Sequence, residues 1–293
     1  MMWWLTCTAI GGLIALTDVR NADNLTGKRA PAGAASIGEQ LPALATQFAN
    51  QRQTILEQYR QAQTSDDKQD CLHRYHTLGY LYAREMVQLA ESNRGKEVAV
   101  QALVFILLNA DTTPEAAVAA ERLVQHHLDD RAMLNLPQRL AHSPSPACAF
   151  LLKELAERTK VRALRGEAAL ALGQALKVQA DLVRQNRGAT PMLRAWLERR
   201  MGATFVERLR KVDPEDLEKD ADKYLTVALR QYSELNYLTH TIGKQAVAEL
   251  YELHQLRIGK SVPQIAGHDI EGKHFSLSEV KGQVVLLDFW GHW

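Results

Sequence analysis

Cysteine is scarce in this chain. Cys7, Cys71 and Cys148 are the three present among 293 residues, and no two stand in CxxC spacing. That spacing is what a zinc knuckle or a redox dithiol needs, so the chain encodes neither within itself. If Cys7 leaves with a leader, Cys71 and Cys148 remain, and a single disulfide or two buried free thiols are both open. Net charge is nearly absent as well. Thirty-five Lys and Arg face 34 Asp and Glu, a formal charge of +1. Basic clusters at Arg199–Arg200 and from Arg208 to Lys211 have acids nearby and read as solvated helix faces. No charge-driven case for nucleic acid or an anionic membrane follows.

Other signatures are missing too. There is no phosphate loop, dinucleotide fingerprint or zincin motif, and no serine sits in a nucleophile elbow. "HHLDD", His126 to Asp130, has metal-binding residue types. Adjacent residues point to different helix faces, however, and no third ligand is placed by the sequence. No metal and no cofactor is expected. His240 and His254 read as surface or packing residues.

What is present begins with an apolar stretch from Met1 to Leu16. It is shorter than the ~20 residues of a membrane span and suits the apolar region of a secretory signal. A basic leading region and a clear cleavage site are missing. Residues 1–20 are therefore an expected signal segment, and the protein is expected to be exported, periplasmic or membrane-associated, with a cytoplasmic location as the alternative. The small residue that a lipoprotein signal places before its cysteine is absent at Cys7. Residues 21–37 are rich in Ala, Gly, Asn and Asp and read as a linker.

Helical patterns fill residues 38–257. Leu41, Leu44, Phe48, Ile55 and Tyr59 recur near helical spacing, and one long helix is expected from about Asp66 to Ser92. Leu72, Tyr75, Leu78, Leu81, Tyr82 and Met86 stripe one side of it. "EVAVQALVFILLNA" is apolar almost all round and should be central. Thr113-Pro114, Ser145-Pro146 and Asp213-Pro214 each read as an N-cap followed by a proline at the first helical position. Val161, Leu164, Ala168, Leu172 and Leu176 share a face, with charges opposite. The succession reads as antiparallel helix pairs in a solenoid-like array without a strict period.

The texture changes at Ile258. "IGKSVPQIAGHDIEGKHFSLSEVKGQVVLLDFWGHW" is rich in glycine. "DIEGKHFSL" predicts a turn between short strands, with Gly272 at an unusual backbone angle. Val284 to Leu287 is an apolar run that suits a strand buried on both faces of a sheet.

Residues 258–293 resemble the opening of a thioredoxin-like redoxin domain. That family includes thiol-disulfide oxidoreductases and the alkyl hydroperoxide reductase/thiol-specific antioxidant superfamily. The entry is Ile258-Gly259-Lys260 with Pro263. The turn is Asp269 with Gly272-Lys273, followed by Ser276-Leu277-Ser278 and Lys281-Gly282. The approach to the active site is Asp288-Phe289-Trp290 and Trp293. The helical region is similar to the N-terminal part of exported redoxins of planctomycete type. The resemblance implies a fold that is mainly α, ending in an incomplete α/β thioredoxin-like portion over 258–293. It implies thiol–disulfide or antioxidant chemistry on a protein or small-molecule thiol, disulfide or peroxide. By resemblance Asp288 matches a buried acid beneath the active site, and Phe289, Trp290 and Trp293 match its wall. Gly259, Pro263, Gly272 and Gly282 match structural positions.

The nucleophilic cysteine of that family would follow Trp293 and is not in the chain, so the chain as given is expected to be inactive. A nonsense mutation, a fragmentary or frameshifted record, and a UGA codon for selenocysteine are three open readings of the ending. In a chain that stops here, Asp288 reads as an exposed strand-end residue and the tryptophans as unpartnered apolar surface. The alternative outside redox chemistry is a non-catalytic helical interaction or scaffold protein built on residues 38–257, with a protein partner.

Overall fold

A computed structural model describes residues 37–257 and 259–288 of the chain. The expected signal segment, almost all of the linker, and Phe289, Trp290 and Trp293 lie outside the described residues.

The first helices are α1 (Ile37–Gln61), α2 (Ser65–Thr77), α3 (Tyr80–Ser92), α4 (Glu97–Asn109) and α5 (Pro114–His126). After the short α6 (Leu136–Leu140) come α7 (Pro146–Arg158) and α8 (Arg162–Arg187). The remainder is α9 (Pro191–Met201), α10 (Ala203–Leu209), α11 (Pro214–Tyr232) and α12 (Ile242–Tyr251). A two-residue hairpin, β1 (Asn236–Tyr237) with β2 (His240–Thr241), enters α12, and a π-helical turn over Glu252–Leu256 leaves it. Among the described residues no helix is long and apolar enough to cross a membrane.

Local chemistry sets the helix starts. Ser145 and Asp213 accept from the backbone N–H groups of Ala147 and Glu215, and the following prolines occupy the first turn. Thr113 departs from its expected role. Its hydroxyl donates to the carbonyl of Ala110 at 2.7 Å, so the proline alone marks that start.

The helix expected over 66–92 is two helices. The break falls at Gly79, where a Cβ would stand 2.0 Å from the backbone oxygen of Asn109. Close approach of the α2–α3 turn to the end of α4 therefore requires glycine there. The break also divides the expected apolar stripe. Leu78, Tyr82 and Met86 are buried, while Leu72 and Leu81 face solvent.

α1 packs on α2 and α3, α3 on α4, α4 on α5 and α5 on α7, while α8 takes α6, α7, α10, α11 and α12. A solenoid repeat touches only adjacent repeats, so this hub corrects the expected solenoid-like array. The cause is the burial of α8 nearly all round, including Glu167, Gln174, Lys177 and Gln179, where an outer charged face was expected. Small residues make that possible. Ala168, Ala169, Ala171 and Ala175 are fully buried and admit neighbouring helices closely.

The α/β expectation for the end of the chain is also corrected. β3 (Ala266–His268) and β4 (His274–Ser276) form one antiparallel hairpin with Gly267 opposite Phe275. Its turn is built as read. Asp269 Oδ1 accepts from the N–H groups of Glu271 and Lys273 at 3.0 and 2.9 Å, and Gly272 has φ of 79°. A single 3-10 turn, Leu277–Val280, follows. The strand expected over Val284–Leu287 is absent: the segment is in no ladder, with Val284 at 104% and Leu286 at 93% exposure. A strand needs a paired edge and a covered face, and among the described residues this segment has neither. Among the described residues no thioredoxin-like sheet is formed.

Candidate functional site

Among the described residues, the positions suggested by the redoxin resemblance are not gathered into one site, and Phe289, Trp290 and Trp293 lie outside the described residues. Gly259, Gly272 and Gly282 all have positive φ and, like Asp288, are exposed, while Pro263 is half-buried. Both described cysteines are free and buried. Cys148 donates its S–H to the carbonyl of Leu107 at 3.8 Å, and burial, then the charge of Asp111, pushes its thiol far up. Cys71 lies in a different apolar cluster, beside Phe48, Ile55 and Tyr82. These are packing residues, not nucleophiles.

Two polar networks lie against α8 and are consumed in holding helices together. In the first, Lys177 Nζ donates to Glu249 at 2.6 Å and Glu252 at 2.8 Å. Glu249 also accepts from Gln174 at 2.7 Å and Gln245 at 2.8 Å. Burial opposes the Glu249 charge, but Lys177 and the two amides outweigh it and hold the carboxyl below its usual range. His240 bonds Gln245 at 2.7 Å, so the network ties the hairpin and α12 to α8. In the second, Glu218 receives Arg184 and Arg257, and Arg257 also reaches Asp181 at 2.9 Å. His254 pairs with Asp222 at 2.5 Å, and His127 faces Asp130 at 3.5 Å.

A third polar cluster behaves differently. It surrounds a cleft of about 170 Å³ lined by Phe48 and Arg52 of α1, Tyr75 and His76 of α2, Gly79 and Tyr80 at the α2–α3 break, and Leu108, Asn109 and Asp111 at the end of α4. Arg52 lies over the ring of Tyr75, 4.3 Å from its centroid, and 5.9 Å from that of Phe48. Arg200, at the end of α9, lies 5.3 Å over Trp196. Tyr80 places Arg200: its hydroxyl bonds Thr112 at 2.6 Å and donates to the Arg200 carbonyl at 3.3 Å. Among the described residues neither guanidinium has a carboxylate within ion-pair distance, unlike Arg184 and Arg257.

The cleft's electrostatics follow. Burial, then the charges of Arg200, Arg52 and His73, lowers His76 to about 4, so its imidazole is neutral at ordinary pH. Burial raises Tyr80 and Asp111. The Asp111 carboxylate is engaged by the Ser143 hydroxyl at 2.5 Å, and Ser145 bonds the Asp111 carbonyl. The arrangement can grip an anion with two aromatic-stacked guanidiniums and a neutral imidazole. None of its residues was singled out for function by the sequence. Arg52 and His76 are far from Arg200 along the chain, and only folding brings them together. A signal did exist: Phe48–Arg52 and Trp196–Arg200 are both aromatic–arginine pairs at i,i+4 spacing on a helix.

No family model matches this chain, and no solved structure matches it. Three curated proteins share a short stretch with it: the thiol-disulfide oxidoreductase ResA of Bacillus thuringiensis, of Bacillus cereus and of Bacillus anthracis. Each is 44% identical over 39 residues, which is 13% of this chain and 22% of the relative. The chain thus spans about a fifth of the length of the curated relatives it matches. A likeness of that extent, beside a helical fold that among the described residues holds two separate two-stranded hairpins and free, buried cysteines, overturns the redoxin assignment. The thiol–disulfide and antioxidant activities implied by the resemblance fall with it, as does the selenocysteine variant of that reading. What the findings support is a mainly helical protein with partial, weak similarity to ResA-type redoxins.

Proposed function

We propose that the helical body, residues 37–257, is a non-catalytic interaction module that holds a segment of a protein partner in the cleft between α1, α2, α3 and the end of α4, with Arg200 of α9 nearby. One observation carries this reading. Arg52 and Arg200 are fixed on aromatic faces beside an open cleft, and among the described residues neither has a carboxylate partner. By contrast, Arg184 and Arg257 against α8 are matched by acids. A stacked guanidinium presents its donor edges while its faces stay covered, which suits recognition of a partner group. The α8 networks supply the rigid frame that such a surface needs.

Site-specific photocrosslinking in the full chain, in its own cells, tests the reading. A crosslinker at Tyr75 should give a discrete protein adduct that disappears when Arg52→Met and Arg200→Met are added. The same crosslinker at Lys219, exposed on α11, should give none. Equal adducts from both positions, or none from Tyr75, contradict the reading.

A further inference from the structure

The cleft also narrows the chemistry of the partner, an inference that rests on the reading just given. We infer that the cleft takes a single carboxylate, the side chain of a glutamate or aspartate in an acidic segment of the partner protein, gripped by Arg52 and Arg200. Three features support an acidic side chain of a partner. First, a guanidinium fork matches a planar carboxylate, and stacking on Tyr75 and on Trp196 leaves the fork edges free to donate. Second, among the described residues neither guanidinium has an acidic partner, so an acidic side chain seated there meets unmatched positive charge. His73, beside His76, is the further titratable group whose charge reaches the cleft. Third, the remaining walls are the rings of Phe48, Tyr75 and Tyr80 and the side chain of Leu108. They suit the methylenes that carry an acidic head on a peptide, and the volume, about 170 Å³, holds such a side chain.

The test uses the full chain and a fluorescein-labelled peptide of alternating Gly and Glu, read by fluorescence polarisation. A Gly/Gln peptide is the uncharged control. The Glu peptide should bind saturably and the Gln peptide about tenfold more weakly or worse. Arg52→Met and Arg200→Met should each weaken the Glu peptide by about tenfold, and Lys219→Met, which removes the same charge elsewhere, should not. In the wild-type chain the His76 ring, titrating at about 4 when free, should move upward once a carboxylate is seated. That shift needs no variant to fold.

Equal binding of the two peptides overturns the inference, as does a loss with Lys219→Met matching that of the arginine variants or an unmoved His76. Inorganic phosphate displacing the peptide at lower concentration than succinate does would make the site a phosphate site and overturn the carboxylate. Succinate binding as tightly as the peptide would make the ligand a small dicarboxylate and overturn the partner-protein assignment. If the peptide fails while the Tyr75 crosslink persists, the interaction module stands and the carboxylate falls. If both fail, both fall.

Discussion

Residues 37–257 and residues 259–288 both satisfy local folding rules but differ in what they bury. The helical body turns its apolar side chains inward. Met86, Ile106, Leu123, Leu151 and Leu164 are fully buried, and its polar interior is matched bond for bond around Glu249. The later segment has good turn chemistry, with Asp269 capping its own hairpin, yet Ile270, Val284 and Leu286 are almost wholly exposed. Both regions satisfy their local rules. Burial separates them, because apolar surface removed from water stabilises a fold by about 25 cal/mol per Å², and a lone hairpin removes little.

The comparison can be broken most severely at Gly79. A Cβ there meets the Asn109 backbone at 2.0 Å, so Gly79→Ala must part α3 from α4. A loss of about 3 kcal/mol in urea unfolding is expected, the upper end of overpacking effects. An unchanged midpoint would show that the two helices do not meet as described. Removing one partner of a buried pair should cost about as much: Lys177→Ala leaves Glu249 uncompensated, for roughly 3 kcal/mol. Lys177→Met combined with Glu249→Leu should recover most of that loss, because both charges leave together.

A smaller, pH-dependent effect belongs to His76. Its folded value of about 4 lies below the 6.5 of the free side chain, so the unfolded chain binds the proton first. The stability it contributes is complete above pH 6.5 and is lost as the pH falls towards about 4. His76→Gln should flatten that part of the stability profile. Glu249 acts lower still. Its depressed carboxyl contributes stability above the unfolded value of about 4.3, which is lost as pH falls through the lower folded value. The smallest effect is expected in the later segment. Leu286→Lys should change body stability by no more than about 0.5 kcal/mol, since that side chain is exposed. A large loss would reveal packing that the structure does not contain.

The same contrast shows what the sequence could express. Proline at the first turn after Ser145 and Asp213 placed two helix starts, and the all-round apolar α4 announced its burial. The D-x-x-G-K spacing gave the β3–β4 turn. These are local matters. The burial of Lys177 and Glu167 on α8 was not legible, because their partners Glu249 and the Asn135 N–H come from elsewhere in the chain. Periodicity alone assigns such charges to solvent. The apolar run at Val284–Leu287 misled for the converse reason: a strand is a property of its neighbours as well as of its residues. The cleft was invisible in outline, since its walls and Arg200 come from distant parts of the chain, but its two aromatic–arginine i,i+4 pairs were readable.

The most direct test of the account is hydrogen–deuterium exchange of the full chain with and without the acidic Gly/Glu peptide. Added protection is predicted in α1, α2, α3 and the end of α9, with residues 259–288 exchanging fast in both states. Protection that arises instead at 284–288, with the cleft helices unchanged, would contradict the claim that the helical body is the seat of function.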